Sequence, residues 1–271
     1  IPVYRAPIPD WGDVDRALRS SALALGYGWC EDHNAPDGTG VSPYAINSEA
    51  GRRVSTNDGY LEPARGRENL RIVGHALVET IEFEGNRLHA RAVRARVDGK
   101  TYAPAAKGEV ILCAGAIHSP AILQRSGIGP AALLESLNIP VLADLPVGEN
   151  LLDHPIMDAL LHLREHGQVG TLMHRHTNCC LRYSSGLEGS GENDMIMIAG
   201  NLARDPQQTV VAARGRIAVS VYQAFSQGYV RITTTDPAID PAVEERMLSD
   251  RSDLVRMRDG VRLATDVYLP A

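Results

Sequence analysis

The stretch CAGAIHSPAILQRSGIGP (residues 113–130) decides the fold class, because it directly follows the apolar run Val110-Ile111-Leu112. Small residues at the end of a β-branched run leave room for a ligand to approach the backbone closely. We therefore predict a buried strand at 109–113 that ends beside a ligand. The glycine motif G-x-G-x-x-G, which usually accompanies such a strand, does not occur in the sequence.

Alternating apolar and polar residues upstream of this stretch predict a β-meander that leads into the buried strand. Ser119-Pro120 predicts a helix that begins with a serine N-cap and ends at Gly127. The other predicted strands are 70–73, 76–83, 88–97, 156–164, 178–183, 194–202 and 215–234, and the other predicted helices are 13–26, 130–137 and 241–266. This order predicts an α/β or α+β fold with a second domain built on an antiparallel sheet.

The composition excludes several classes of protein. The 271 residues are 44% apolar and carry a formal charge of -6, so the chain is globular and has no basic surface for nucleic acid. No apolar run approaches the roughly 20 residues that span a bilayer. The four cysteines show no C-x-x-C spacing, which favours a reducing compartment, and we expect the protein in the cytoplasm. Adjacent Cys179 and Cys180 are expected on opposite faces of a strand, one of them buried.

Two short motifs suggest chemistry that their surroundings do not favour. Gly99-Lys100-Thr101 resembles the end of a phosphate loop, but Arg94 occupies the position of the first glycine, and we interpret the segment as a hairpin turn. His162, Glu165 and His166 form H-x-x-E-H, the pattern of a class of zinc metallopeptidases. The glycine-rich sequence that follows does not support a long helix, so we expect a strand end with two exposed histidines and no metal.

Three other histidine sites are interpreted as structural. His174-Arg175-His176 has no carboxylate or cysteine at ligand spacing, and we expect surface positions for it. His118, near the start of the predicted helix, and His154, in a loop, are expected to hold their local backbone rather than to act in catalysis.

Residues 115–129 resemble the second sequence signature of the glucose-methanol-choline (GMC) family of FAD-dependent oxidoreductases. Three further segments are similar to that family and stand in the same order: 51–73, 144–155 and 228–262. The resemblance runs from about Gly12 to Arg262. It implies a Rossmann-type FAD-binding domain, present here in part, and a substrate domain with an antiparallel sheet above the flavin ring.

The resemblance also implies a division of the chain and a cofactor site. Residues 1–52 would form a substrate-domain or lid segment, 53–152 an FAD-domain segment, 153–235 the substrate-binding sheet and 236–271 a returning helical segment. The cofactor FAD would contact Val78 through its backbone, and Cys113, Ala114 and Gly115 would lie beside the adenosine.

The activity implied is oxidation of a small alcohol, with a histidine general base and hydride transfer to the flavin. The family's pyrophosphate motif and its catalytic histidine segment are not found in these residues, so the catalytic residues are expected outside this chain. The expected partners are the remaining segments of the same polypeptide and the alcohol. Alone, the chain is expected to hold FAD weakly and not to turn over.

Two further functions stay open beside the metallopeptidase. One is a hydroxynitrile lyase of the same family, whose flavin takes no part in redox chemistry, and the other is a non-catalytic binding module. The substrate is not specified by the sequence, although Tyr222, Phe225 and Tyr229 are expected to cluster on the last long strand.

Overall fold

The computed structural model describes residues 1–85, 89–168, 175–204, 210–211 and 213–268. The α-helices in that part of the chain are α1 (Asp13–Ala24), α2 (Glu62–Ala64), α3 (Gly115–Arg125), α4 (Ala131–Ser136) and α5 (Arg251–Tyr268). The strands there are β1 (Gly40–Pro43), β2 (Ser48–Glu49), β3 (Arg52–Arg53), β4 (Ala76–Phe83), β5 (Ala90–Val97), β6 (Lys100–Tyr102), β7 (Ile128–Gly129), β8 (Ala143–Asp144), β9 (Glu149–Leu151), β10 (Ile156–His162), β11 (Cys179–Tyr183), β12 (Met195–Gly200), β13 (Ala203–Arg204), β14 (Val210–Val211), β15 (Arg214–Val221), β16 (Gly228–Arg231) and β17 (Ala242–Glu244).

The chain folds as two compact units, each assembled from separated segments. The first unit combines residues 1–70, 154–225 and 248–271, and the second combines 71–153 and 226–247. Mixed helices and antiparallel sheets confirm the predicted fold class. The assignment of segments to an FAD domain and a substrate domain stays a prediction.

A five-stranded antiparallel sheet in the order β1-β11-β12-β15-β10 is the centre of the first unit. Alternate residues of β11, β12 and β15 point to one face and pack on α1 and α5, because successive side chains of a strand point to opposite sides. Val14, Leu18 and Ala22 form the buried stripe of α1. One face of the sheet is therefore filled by helices.

The buried carboxylate of Asp15 joins α1 to the sheet. It accepts hydrogen bonds from the backbone nitrogens of Gly12, Asn178 and Cys179, at 3.0 to 3.1 Å, and from the side-chain amides of Asn178 and Asn201, at 2.8 and 2.5 Å. Burial raises the pKa of Asp15, while the hydrogen bonds from Asn178 and Asn201 act in the opposite direction. A single side chain thus fixes the helix against two strand ends.

A second buried network attaches α5. The Arg256 guanidinium is fully buried, lies 3.0 Å from Asp194 at the start of β12, and forms an ion pair with Asp253 on its own helix. Asp253 also accepts a hydrogen bond from the Phe225 backbone at 3.0 Å. Burial opposes ionisation of Asp194, but hydrogen bonds from Ser185 and Arg256 outweigh it and hold the pKa of that carboxyl below its usual value.

The second unit is organised around α3 and the antiparallel sheet β4-β5-β6. Ser126, just after α3, accepts a hydrogen bond from the Ile81 backbone of β4 at 2.8 Å, and the Arg125 side chain donates to the Glu79 carbonyl at 2.9 Å. Gln124 is fully buried and accepts a hydrogen bond from the backbone of Ile232 at 2.9 Å. A β-carbon at Gly148 would lie 2.1 Å from the Val230 backbone oxygen and 2.5 Å from the Gln124 amide, so only glycine fits there.

Most of the predicted elements are confirmed by the structure. The helices predicted at 13–26 and 130–137 are α1 and α4, and the hairpin turn predicted at Gly99 joins β5 to β6. The strand predicted at 88–97 is observed from Ala90, and residues 86–88 lie outside the described part of the chain. Cys179 and Cys180 lie on β11 as predicted, although both are buried rather than one.

The buried strand predicted at 109–113 is wrong. Among the described residues no strand pairs with this segment, and Ile111 is 79% exposed. A strand forms only where a neighbouring strand pairs with its backbone N–H and C=O groups. An apolar run of residues indicates a preference for burial but does not provide that partner. The strand predicted at 70–73 is likewise irregular chain.

Three predicted boundaries are also wrong. Helix α3 begins at Gly115 instead of Ser119-Pro120, so Pro120 lies inside the helix, where its ring nitrogen cannot donate to the carbonyl four residues earlier. The single strand predicted at 215–234 is divided into β15 and β16, with irregular chain between them. The helix predicted from 241 begins only at Arg251, because residues 242–244 pair with β16 as β17.

We expect Asp15→Asn to lower the free energy of unfolding by about 2 to 3 kcal/mol. One acceptor oxygen is replaced by an amide NH₂ group, which is a donor and would face other donors in a buried site. Asp13→Asn is the matched control, since Asp13 lies in the same helical turn with its side chain 43% exposed. Urea denaturation of both variants measures the difference. Equal losses in the two would contradict the role of the Asp15 network.

We expect Arg256→Met to lower the free energy of unfolding by about 3 to 5 kcal/mol, because it removes the buried cation that pairs with the carboxylates of Asp194 and Asp253. At mildly acidic pH the variant and the unmodified protein should differ less in their free energy of unfolding, because protonation of Asp194 and Asp253 removes the charge that Arg256 no longer compensates. Arg258→Met, at an exposed position of the same helix, should change stability little. Thermal denaturation at neutral and mildly acidic pH tests both points, and a gap that widens in acid would refute the explanation.

Candidate functional site

The predicted cofactor segment Cys113–Gly115 lies at the head of α3 and is exposed. Gly115 has a φ of +83°, and a β-carbon built there would meet nothing within 4 Å. Among the described residues no side chain caps the first turn of the 11-residue helix, so its backbone N–H groups can donate hydrogen bonds to a ligand. The segment has the open backbone that close approach of a nucleotide requires.

Val78 lies half-buried on β4 of the same unit, beside a β-bulge between Val78 and Thr80. Bulges interrupt a ladder of hydrogen bonds and often occur near functional sites. Hydrogen bonds from Ile81 and to Glu79 attach this strand to the end of α3. In the part of the chain that the structure describes, no hydrogen bond joins Val78 to Cys113–Gly115, so the fold brings these residues into one unit without a direct link.

The face of the five-stranded sheet opposite the helices is a second candidate surface, in the first unit. His33 is buried, lies with its Nδ1 atom 3.2 Å from the Pro43 carbonyl, and stacks on Tyr44 with ring centroids 5.3 Å apart. Burial lowers the pKa of His33 and raises the pKa of Tyr44. Both rings are therefore held in their neutral forms at neutral pH, as hydrogen-bonding groups rather than charges.

The same face carries one aromatic pair and one ion pair. His154, two residues before β10, stacks on Tyr222, which directly follows β15, with ring centroids 4.4 Å apart. Arg216 on β15 lies 2.8 Å from Asp158 on β10, and both side chains are about one-third exposed. This surface combines rings with charged hydrogen-bonding groups, which is a combination that can orient a small polar molecule.

The H-x-x-E-H motif does not form a helical metal site. His162 is the last residue of β10, whereas Glu165 and His166 lie in a single 3₁₀ turn, so the two histidines do not share a helix face. Both are exposed, as predicted for a strand end. No group of three potential metal ligands is found in the described ranges. His174 lies outside those ranges.

The other histidine and aromatic predictions have mixed outcomes. His118 is exposed on α3, and His154 stacks on Tyr222. Phe225 and Tyr229 do not join Tyr222 on one strand, because β15 ends at Val221 and Tyr229 belongs to β16 in the other unit. Sequence reasoning missed His33, Tyr44 and the Arg216–Asp158 pair. These groups meet only through strand pairing, and no local pattern in the sequence indicates that pairing.

The helices of the protein differ from those that cross membranes. None in the described residues is both long enough and apolar enough to cross a bilayer.

Comparison with known proteins adds to the local geometry. Residues 3–156, more than half of the chain, match the family model described as GMC oxidoreductase. A 5-(hydroxymethyl)furfural oxidase from Methylovorus sp. is 33% identical over 274 residues, which cover 99% of this chain and 50% of that protein. An oxygen-dependent choline dehydrogenase from Chromohalobacter salexigens is 31% identical over 93% of this chain and 49% of its own length.

The solved structures agree with these relatives. A pyridoxine 4-oxidase from Mesorbium loti superimposes with a TM-score of 0.87 at 26% identity, over 98% of this chain and 53% of that one. A formate oxidase, at 19% identity and a TM-score of 0.84, shares the fold. The chain spans about half the length of the relatives it matches. The family match and the extent of these similarities show that the chain belongs to the GMC oxidoreductase family.

Proposed function

We propose that this chain is one part of an FAD-dependent oxidoreductase that oxidises a small alcohol at its CH–OH group. The observation that carries the proposal is the exposed Cys113–Gly115 segment at the uncapped head of α3. It lies within the residues that match the GMC family, and relatives that cover nearly the whole chain are named as a 5-(hydroxymethyl)furfural oxidase and an oxygen-dependent choline dehydrogenase.

The residues proposed to hold FAD are Val78, Cys113, Ala114 and Gly115. Small exposed residues fit a nucleotide, because their backbone can be reached without displacement of any side chain. The uncapped N–H groups of α3 provide donors, and the helix dipole favours a negatively charged group there. FAD, when bound, would accept a hydride from the carbon that carries the substrate hydroxyl.

The open face of the five-stranded sheet is proposed as part of the wall that orients the alcohol. Arg216 and Asp158 offer a donor and an acceptor that hold each other in position, and Tyr222 adds a ring fixed by His154. The neutral imidazole of His33 is turned toward the Pro43 carbonyl and is assigned no role in proton transfer. The general base is proposed to be a histidine on another segment of the protein.

The proposed partners are the remaining segments of the same polypeptide. Residues 109–113 have the composition of a buried strand, yet Ile111 is exposed and no described strand pairs with the segment. Pairing with a further strand would satisfy these backbone groups and cover the apolar side chains. Relatives about twice as long as this chain are consistent with such a strand.

The reaction can be tested with the full-length protein, purified with its flavin and kept free of oxygen. Addition of a series of primary alcohols should bleach the visible absorption of the flavin, because two electrons reduce it. A hydroxynitrile lyase of the same family would instead cleave a cyanohydrin with the flavin colour unchanged. Cyanohydrin cleavage without bleaching by any alcohol would refute the proposed oxidation.

We expect Gly115→Ala to weaken FAD binding by roughly tenfold, or about 1.4 kcal/mol, because a β-carbon would stand where the nucleotide approaches the backbone. Gly99→Ala is the matched control, since Gly99 lies in the same unit with a similar φ of +76°, and a β-carbon built there would meet nothing within 4 Å. Both variants carry the same kind of backbone strain. Flavin release measured by fluorescence should differ between them, and equal release would argue against a cofactor contact at Gly115.

A further inference from the structure

A cleft of about 460 Å³ opens on the first unit. Its apolar wall consists of Ala6, Pro7, Ile8 and Pro43, and Trp29 adds an aromatic surface. The indole nitrogen of Trp29 donates a hydrogen bond to Glu31 at 2.6 Å, which fixes the ring. A cleft of this volume with a mostly apolar wall is the kind of surface that holds a small organic molecule.

Arg19 is the unusual polar group of this cleft. Its guanidinium lies over the face of Trp29, with 5.3 Å between Cζ and the ring centroid. In the described part of the chain it has no ion pair or hydrogen bond, and its Nε atom is buried without a partner. Stacking uses the flat face of a guanidinium and leaves the donors at its edge available. Those donors match the two oxygens of a carboxylate.

The other charged groups of the cleft are largely occupied. Arg5 lies 2.5 Å from Asp32, and its Nε atom is also buried without a partner. Glu31 accepts the indole hydrogen bond and is exposed. Arg19 is therefore the cation whose charge is not compensated by a contact, Arg5 can add a donor, and Glu31 opposes an anion by like charge.

We propose that this cleft binds a small organic carboxylate with an apolar body. The carboxylate is held by the edge of the Arg19 guanidinium, with Arg5 as the second donor, and the apolar body rests against Trp29 and the proline-rich wall. The cleft shares no lining residue with the groups proposed to hold FAD or the alcohol, so the two assignments can fail independently.

Calorimetric titration of the full-length protein with benzoate tests the proposal, at constant ionic strength so that screening is equal throughout. Benzamide has the same shape without the charge and should bind at least tenfold more weakly. Arg19→Gln should weaken benzoate binding at least tenfold, and Arg19→Lys, which keeps the charge but not the planar fork, should give a smaller loss. Glu31→Gln should strengthen binding, because it removes the opposing charge.

Arg262→Gln is the matched control, since it makes the same charge change on an exposed side chain of α5. It should leave benzoate binding unchanged, and circular dichroism should show that every variant is folded. The proposal is overturned if benzamide binds as well as benzoate, if Arg19→Gln binds like the unmodified protein, or if Glu31→Gln weakens binding. A loss in Arg262→Gln equal to that in Arg19→Gln would also overturn it, because the effect would then be one of net charge.

Discussion

The carboxylate of Asp15 is the interaction on which the arrangement of the first unit depends. Its five hydrogen bonds connect the start of α1 with Asn178, which precedes β11, and with Asn201, which follows β12. The partners are separated by 163 and 186 residues in sequence from Asp15. A buried carboxylate is tolerated only when its oxygens are satisfied, so the network enforces one position of the helix on the sheet.

That position determines which face of the sheet stays available. The side chains of Met195, Met197 and Val219 are covered by α1 and α5, and the Arg256 network fixes the second helix in the same way. Two charged networks of buried groups add little net stability compared with apolar packing, but they admit few alternative arrangements. The polar residues that alternate with the core, including Arg216, consequently face the opposite side. Alternation along each strand places the polar side chains on one face of the sheet. That face stays exposed because the helices cover the other one.

The sequence predicts correctly the elements that depend on the pattern of neighbouring residues. It does not predict the boundaries and contacts that depend on segments distant in the chain. Strands β4, β10, β11 and β12 followed from alternation, and α1 followed from the spacing of Leu18 and Ala22. The start of α3 was misplaced because Ser119-Pro120 is a strong local signal, whereas the helix actually begins at Gly115 with its positive φ. The His33–Tyr44 stack was missed because it joins a loop to the end of β1, and loops carry no periodicity that could indicate their partners.

For the segment around residues 109–115, the sequence predicts a buried environment that the structure does not show. Its composition is that of a buried strand followed by a close backbone approach, and its motif is specific enough to indicate the family. Yet Ile111 is exposed, and among the described residues no side chain caps the head of α3. The contrast between the apolar composition of this segment and the exposure of Ile111 is the reason why we propose that a further strand and a nucleotide bind there.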